Sequence, residues 1–151
     1  MPNVRKSFKL ASFSSQFSAT RDIKAGEQLS YAYCRLGQFA SERQAELDPY
    51  GFVCKCSACV NATPESDKFR KTFEAKVIQV TSLMKRDPNI RLLQSLLKFE
   101  QEMIREGLDG LMEFLTLAMV ISVIYTRNGM TKEAMVYDEI VMAFQKIPSN
   151  G

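Results

Sequence analysis

The sequence predicts an α+β protein, with a β-rich part over about residues 1–60 followed by an all-helical part over about residues 63–148. Three observations support this prediction. Apolar and polar residues alternate within residues 1–34, which is typical of half-buried strands. From residue 63 onward, apolar residues recur at helical spacing. A tight cluster of cysteines separates the two patterns and indicates a metal site.

Residues 1–21 contain arginine, lysine and serine but no acidic residue, a composition that mitochondrial targeting segments share. The competing interpretation is a pair of strands, because Phe8 and Leu10, and likewise Phe17 and Ala19, alternate with strand period. We favour the strands, since they agree with the motifs that follow in the sequence.

The segment after these strands predicts a turn and a third strand. Lys24–Glu27 contains a glycine and is a turn signal, and Leu29–Tyr33 alternates with strand period. We expect Arg21, Asp22 and Glu27 to fix this turn rather than to take part in chemistry.

Helices are predicted in most of the remaining chain. Thr63 is a suitable N-cap, and Pro64 fits the first helical position. The first predicted helix covers residues 41–47, and the second runs from Thr63 to the interruption at Asp87-Pro88. The third lies between about Leu92 and Gly107, and the fourth covers about Leu111–Arg127. The fifth begins at Thr131 and ends before Pro148.

The segment Leu111–Tyr125 is almost entirely apolar, but it contains Glu113 and is shorter than the roughly 20 residues that span a membrane. We therefore predict a helix that is buried on most sides. Together with the next helix it forms a hairpin that loosely resembles one tetratricopeptide unit, and the small Ala118 and Ala134 allow a close approach. The methionines of the helical part are expected mostly to pack in its core.

Composition excludes several classes of function. The chain has 151 residues and a formal net charge of +3, and its basic groups, such as Lys68, Arg70 and Lys71, fit solvated surface better than a nucleic-acid interface. It contains no histidine, which excludes histidine-based acid–base and triad chemistry. The N-terminus lacks the apolar segment of a secretory signal, so we expect reduced cysteines and a location in the nucleus or cytoplasm.

Three cysteines lie in one short loop, at Cys54, Cys56 and Cys59. Thiolates at this spacing on a tight turn can converge on one zinc ion, which takes four ligands in a structural site. The loop supplies three of the four. Cys34 is an alternative fourth ligand, although strand alternation would direct its side chain opposite to that of Tyr33.

Three short motifs occur in a fixed order: Pro-Asn at residues 2–3, Arg-Asp-Ile-x-x-Gly-Glu-x-Leu-x-x-x-Tyr at residues 21–33, and Gly-Phe-x-Cys-x-Cys-x-x-Cys at residues 51–59. Each motif is weak alone, but the ordered set is specific. Residues 2–59 therefore resemble the C-terminal half of a SET domain, the domain of protein-lysine methyltransferases that use S-adenosylmethionine. The similarity is to the branch, with many fungal members, that joins SET to a MYND finger and a helical C-terminal domain.

This resemblance implies a role for several residues. Tyr33 would be the catalytic tyrosine, whose hydroxyl orients the lysine amine and the donor sulfonium while water is excluded. Tyr31 would line the channel for the lysine chain, and Phe52 and Asn3 would bind S-adenosylmethionine, with Phe52 stacked on the adenine. The structural zinc ligands of this post-SET loop would be Cys54, Cys56 and Cys59.

Without the resemblance, the same aromatic residues have plainer interpretations. Tyr31 and Tyr33 would be half-buried strand aromatics, and Phe52 would anchor its loop. Lys55, which lies between the loop cysteines, is a candidate to offset the negative charge of thiolates around zinc.

The sequence departs from the family motif, which runs Asn-His-x-Cys-x-Pro-Asn, because it begins Met1-Pro2-Asn3. The resemblance implies that the Asn-His pair, the fourth zinc-binding cysteine and the first half of SET fall before Met1. We expect the 151-residue chain alone to bind S-adenosylmethionine poorly and to lack methyltransferase activity. Tight cofactor binding in calorimetry would contradict this expectation.

Two other functions stay open. One is a non-catalytic, zinc-stabilised module that binds a peptide partner at its helical part, and the other is a relic without function. As a methyltransferase, the protein would act on a protein substrate that presents a lysine, such as a histone tail. The sequence predicts no membrane partner and gives no direct indication of nucleic-acid binding.

Overall fold

The computed structural model describes residues 2–84 and 89–145 of the chain. The predicted interruption at Asp87-Pro88 and the predicted end near Pro148 lie outside the described residues. Within them the architecture is α+β, mostly helical, with one two-stranded sheet. The elements are β1 (Val4–Lys9), β2 (Ser14–Ala19), α1 (Ala40–Leu47), α2 (Ser57–Val60), α3 (Pro64–Met84), α4 (Leu93–Arg105), α5 (Met112–Arg127) and α6 (Thr131–Gln145).

The strands β1 and β2 form an antiparallel hairpin in which Val4 lies opposite Ala19. A single 3₁₀ turn at Leu10–Ser12 joins them, and Phe13 ends it with a φ of 48°. The prediction of paired strands in this region is therefore confirmed. The hairpin adds little to an apolar core, since Val4 is buried but Phe8 is 47% exposed.

The predicted third strand at Leu29–Tyr33 does not form, although all of its residues are described. The backbone N–H groups of Asn3 and Val4 both donate to the Ser30 carbonyl, at 3.0 and 3.1 Å. The Ser30 N–H, however, donates to the side-chain oxygen of Asn3 at 2.8 Å. Because a side chain takes the donor that a strand ladder needs, pairing with β1 does not continue.

The helix boundaries follow local signals in the sequence. α3 begins as predicted, since the Ser66 N–H donates to the Thr63 hydroxyl at 3.1 Å. α1 begins at Ala40, close to the predicted start at residue 41. Gly129 between α5 and α6 has a φ of +72°, a conformation that glycine adopts without strain.

Helices α3 to α6 share one apolar core. α5 is buried on most sides, as predicted, and the small Ala118 and Ala134 are 1% and 4% exposed. Among the described helices, none is long and apolar enough to cross a membrane. The large side chains that are fully buried in this core are Phe73, Met103, Leu108, Leu117, Val120, Ile121 and Ile124.

The expectation that methionines mostly pack in the core is wrong. Met103 is buried and Met130 packs against the core. Four others are 39–62% exposed, namely Met112, Met119, Met135 and Met142. They occupy outward faces of α5 and α6, because the apolar surface of these two helices is wider than the area their neighbours cover.

The segment before α1 packs directly on α3. At Gly37, a Cβ atom would lie 2.9 Å from Cζ of the buried Phe73 ring, so only glycine permits this approach. The Leu36 carbonyl accepts a hydrogen bond from the Arg70 guanidinium at 2.6 Å. These contacts place α1, and the cysteine loop that follows it, beside the helical core.

Candidate functional site

A cavity of about 210 Å³ lies where the N-terminal part meets α1, the cysteine loop and α3. Its wall combines segments that are distant in sequence, including residues 30–34, α1 and the loop over residues 52–59. The predicted site residues that line it are Tyr31, Tyr33, Phe52, Cys54, Cys56 and Cys59. One cavity therefore collects residues that two separate motifs predicted.

Aromatic rings form one side of the cavity. The Tyr31 and Tyr33 rings stack with their centroids 4.5 Å apart and an interplanar angle of 29°. The Tyr50 and Phe52 rings meet the Tyr33 ring in edge-on geometry, at centroid distances of 5.4 and 6.2 Å. Tyr33 stays 47% exposed, so this cluster is a surface feature and not part of the apolar core.

The electrostatics of Tyr33 suit an orienting group. A hydrogen bond with Tyr31, and then burial, raises the pKa of the Tyr33 hydroxyl above its ordinary value. The hydroxyl is therefore protonated near neutral pH and can donate a hydrogen bond, but it is a poor base.

The three loop thiols are close enough to bind one metal ion. The Sγ atoms of Cys54, Cys56 and Cys59 all lie within 4.8 Å of one another. In a tetrahedral site with Zn–S bonds of about 2.3 Å the sulfurs are about 3.8 Å apart, so a small contraction would suffice. Zinc therefore fits this donor set. α2 begins directly after Cys56, which places Cys56 and Cys59 one helical turn apart.

A buried arginine lies beside these thiols. Arg43 on α1 is 3% exposed, and it donates to the carbonyls of Gln38 and Ala58, both at 3.0 Å, and to Sγ of Cys59 at 3.4 Å. Its Nε finds no partner among the described residues. A buried cation without a carboxylate is costly, so thiolates are a favourable neighbour for it. Lys55, in contrast, is exposed.

The pKa values of Cys56 and Cys59 are shifted in opposite directions. Burial raises the pKa of Cys59 to about 11, and hydrogen bonds with Cys54 and Cys56 act in the same direction. Burial also acts to raise the pKa of Cys56, but hydrogen bonds with its neighbours and the charge of Arg43 lower it overall. Metal binding to this loop would therefore release protons from these half-buried thiols.

Arg70 also lines the cavity, so the prediction of a solvated surface is wrong for this residue, whereas Lys68 and Lys71 are exposed as predicted. The Arg70 side chain is 1% exposed and pairs with Glu106 at 3.2 Å. Burial, and then the charge of Arg43, lowers its pKa. Arg70 precedes Phe73 by three residues, so it falls on the buried stripe of α3.

Asn3 is not among the described residues that line the cavity. Its amide donates to the Glu27 carboxylate and to the Gln28 carbonyl, both at 2.9 Å, while its oxygen accepts from Ser30. Glu27 also forms a salt bridge with Arg21, as expected for a residue that fixes the turn. Asn3 thus holds the segment that leads to the aromatic cluster, and its contact with a cofactor stays a prediction.

The burial of Arg43 and Arg70 is not predicted from the sequence. The signal for Arg43 is its position four residues before Leu47 on α1, since both are 3% exposed and lie on one helix face. A basic residue in phase with an apolar stripe is therefore a candidate for burial, but the partner that stabilises it comes from another segment.

Comparison with known proteins gives a partial match. A segment of 48 residues, 31% of this chain, is 42% identical to the histone-lysine N-methyltransferase SET5 of Meyerozyma guilliermondii. The match covers 10% of the length of that protein. No family model matches the chain, and no solved structure matches it significantly. The finding supports a relationship with SET-domain lysine methyltransferases without deciding the branch.

Proposed function

We propose that this chain supplies the tyrosine, aromatic and zinc-binding elements of a protein-lysine methyltransferase site that uses S-adenosylmethionine. The observation that carries the proposal is the convergence of Tyr33, Phe52 and the cysteine loop on one cavity. The partial similarity to a histone-lysine methyltransferase supports the same reaction class. A lysine-bearing protein substrate, histone or other, and a location in the nucleus or cytoplasm belong to this proposal.

The roles of the residues follow from the chemistry. Methyl transfer displaces a methyl group from a sulfonium to a neutral amine, and the protein mainly aligns the reactants and excludes water. The protonated Tyr33 hydroxyl would orient the reacting groups, and Tyr31 would line the path of the lysine chain. Phe52 would stack on the adenine ring, since it is 43% exposed and available for contact.

The size of the cavity limits what these residues hold. A volume of about 210 Å³ is below the roughly 300–1,000 Å³ of pockets that enclose a whole small ligand. The described residues would therefore contact part of S-adenosylmethionine. A zinc ion on Cys54, Cys56 and Cys59 would keep the Phe52 loop folded at this place.

Chemical-shift mapping tests the proposal. S-adenosylmethionine added at millimolar concentration to the isotopically labelled, zinc-loaded chain is expected to shift the resonances of Tyr33 and Phe52. Phe13, which is 81% exposed at the far end of the hairpin, is the matched aromatic control and is expected not to shift. In the Phe52→Ala variant, the shift of the Tyr33 resonance on addition of S-adenosylmethionine should be abolished. Equal responses of Phe13 and Phe52, or no response, would contradict cofactor binding here.

A second candidate is the non-catalytic, zinc-stabilised module. It is supported by exposed apolar side chains on α6, namely Met135, Val136 and Met142, which are 56–62% exposed and available to a peptide partner. Zinc binding without any shift of Tyr33 or Phe52 on addition of S-adenosylmethionine would favour this function over methyl transfer.

A further inference from the structure

Lys6 on β1 places its ammonium group on the aromatic cluster beside the cavity. Its Nζ lies 5.5 Å from the centroid of the Tyr31 ring, within the roughly 6 Å over which a cation is attracted to the face of an aromatic ring. Lys6 lies opposite Phe17 in the hairpin, and the Phe17 and Tyr31 rings meet at a centroid distance of 5.4 Å. The hairpin therefore delivers a lysine ammonium group to the Tyr31 ring.

No carboxylate accounts for this position of the Lys6 side chain. None of the salt bridges among the described residues includes Lys6, and residues 1–21 contain no acidic residue. The Tyr31 ring is the partner that the structure gives the Lys6 ammonium group. Because Lys6 is exposed, this contact is weak, and a carboxylate from another molecule can draw the ammonium group away from the ring.

The Lys6 contact lies beside the proposed path of the substrate lysine. Tyr31 lines the cavity and stacks on Tyr33 with the ring centroids 4.5 Å apart. A hydrogen bond with Tyr31 raises the pKa of the Tyr33 hydroxyl, and the charge of Lys6 acts in the opposite direction, so the ammonium group is within electrostatic reach of that hydroxyl. A substrate lysine that packs on Tyr31 would therefore meet a like charge on the same ring.

We propose that Lys6 is a specificity-determining residue, whose ammonium group covers the Tyr31 ring in the free chain and disfavours a substrate lysine with neutral or basic neighbours. A carboxylate next to the substrate lysine would pair with the displaced Lys6 ammonium group and leave the ring open. The inference rests on the role of Tyr31 in the proposed function. It adds the class of substrate, which is a lysine adjacent to an acidic residue.

Titration with two short peptides tests this specificity. N-acetyl-Glu-Lys-amide and its neutral analogue N-acetyl-Gln-Lys-amide are added to the isotopically labelled 151-residue chain, and the resonances of the Tyr31 ring are followed. We expect the Glu peptide to bind about two- to fivefold more tightly than the Gln peptide, which is the gain that one exposed ion pair gives. Lys6→Met removes the charge but keeps a long side chain, so it should make the two affinities equal.

The matched control is Lys9→Met, which removes the same charge from an exposed position on the opposite face of β1 and should keep the preference of the unmodified chain. A preference that persists in Lys6→Met, or that Lys9→Met abolishes equally, would overturn the inference. Absence of any Tyr31 shift would overturn it together with the role of Tyr31. A preference that depends on Lys6, in a chain whose Phe52 does not respond to S-adenosylmethionine, would support the inference and contradict the cofactor site.

Discussion

The helical core and the cavity region bury different kinds of side chain. In the core, the fully buried groups are apolar, such as Phe73, Leu117 and Ile121, each 0% exposed. The wall of the cavity, in contrast, buries the charged Arg43 and Arg70, at 3% and 4% exposure, together with the apolar Leu47. Each of these polar groups has specific partners, whereas the apolar residues share many contacts.

This contrast indicates that the cavity region, and not the helical core, depends on a bound metal ion. Apolar burial stabilises a fold without any bound group and in rough proportion to the area removed from water. A buried cation beside thiols depends on the charge state of those thiols, which a metal ion would change. We therefore expect the helical core to be insensitive to metal and the cavity region to respond to it.

The largest expected effect is a loss of stability on truncation of a side chain in the helical core. Phe73→Ala should lower the free energy of unfolding by about 3–5 kcal/mol, because it removes a large, fully buried ring. Ile78→Ala, on the same helix but 72% exposed, is the control and should change stability little. Denaturant melts monitored by circular dichroism measure both. A cost for Phe73→Ala that disappears when metal is removed would contradict the independence of the core.

The next effect concerns the contact between the two regions. Gly37→Ala should destabilise the protein by about 1–3 kcal/mol, because the new methyl group collides with the Phe73 ring. Gly110→Ala is the matched control, since nothing lies within 4 Å of a Cβ atom there. Equal melting temperatures for the two variants would show that the segment before α1 does not pack on α3 as described.

A third effect belongs to the cavity alone. Arg43→Met should weaken zinc binding about 10–100-fold, the usual consequence of losing a hydrogen bond to a metal ligand. Lys55→Met removes the same charge from an exposed position between the cysteines and should have a smaller effect. Competition with a chromogenic chelator measures the affinities. Equal losses in the two variants would indicate that overall charge, and not contact with Cys59, sets the affinity.

The smallest effect is the acid response of the turn at Glu27. Hydrogen bonds from Arg21, and then from Asn3, lower the pKa of Glu27 from 4.5 to about 2. Because the folded pKa is depressed, the stabilisation is fully present above pH 4.5 and is lost as the pH falls toward 2. Amide exchange at Ser30 should accelerate over this range, and Glu27→Gln should remove the pH dependence. A Glu27 side-chain titration midpoint near 4.5 would contradict the network.

Much of the local structure could be predicted from the sequence. The Thr63 cap, the glycine at Gly129 and the spacing of Phe73 and its apolar neighbours act within one or two helical turns, so they fix the helices directly. The hairpin of β1 and β2 and the convergence of the loop thiols are also short-range features. The predicted third strand is absent because the side-chain oxygen of Asn3, from another segment, accepts the hydrogen bond of the Ser30 N–H.

The helices, the hairpin and a loop of three thiols suited to one metal ion therefore follow from local signals in the sequence. Which polar groups are buried, and which segments meet, depends on the packing of distant segments. Arg43 and Arg70 became cavity residues, and Cys34 joined the wall that holds the loop cysteines. The physical reason is range: caps and periodicity act between near neighbours in the chain, whereas the burial of a charge depends on whatever other segments pack around it.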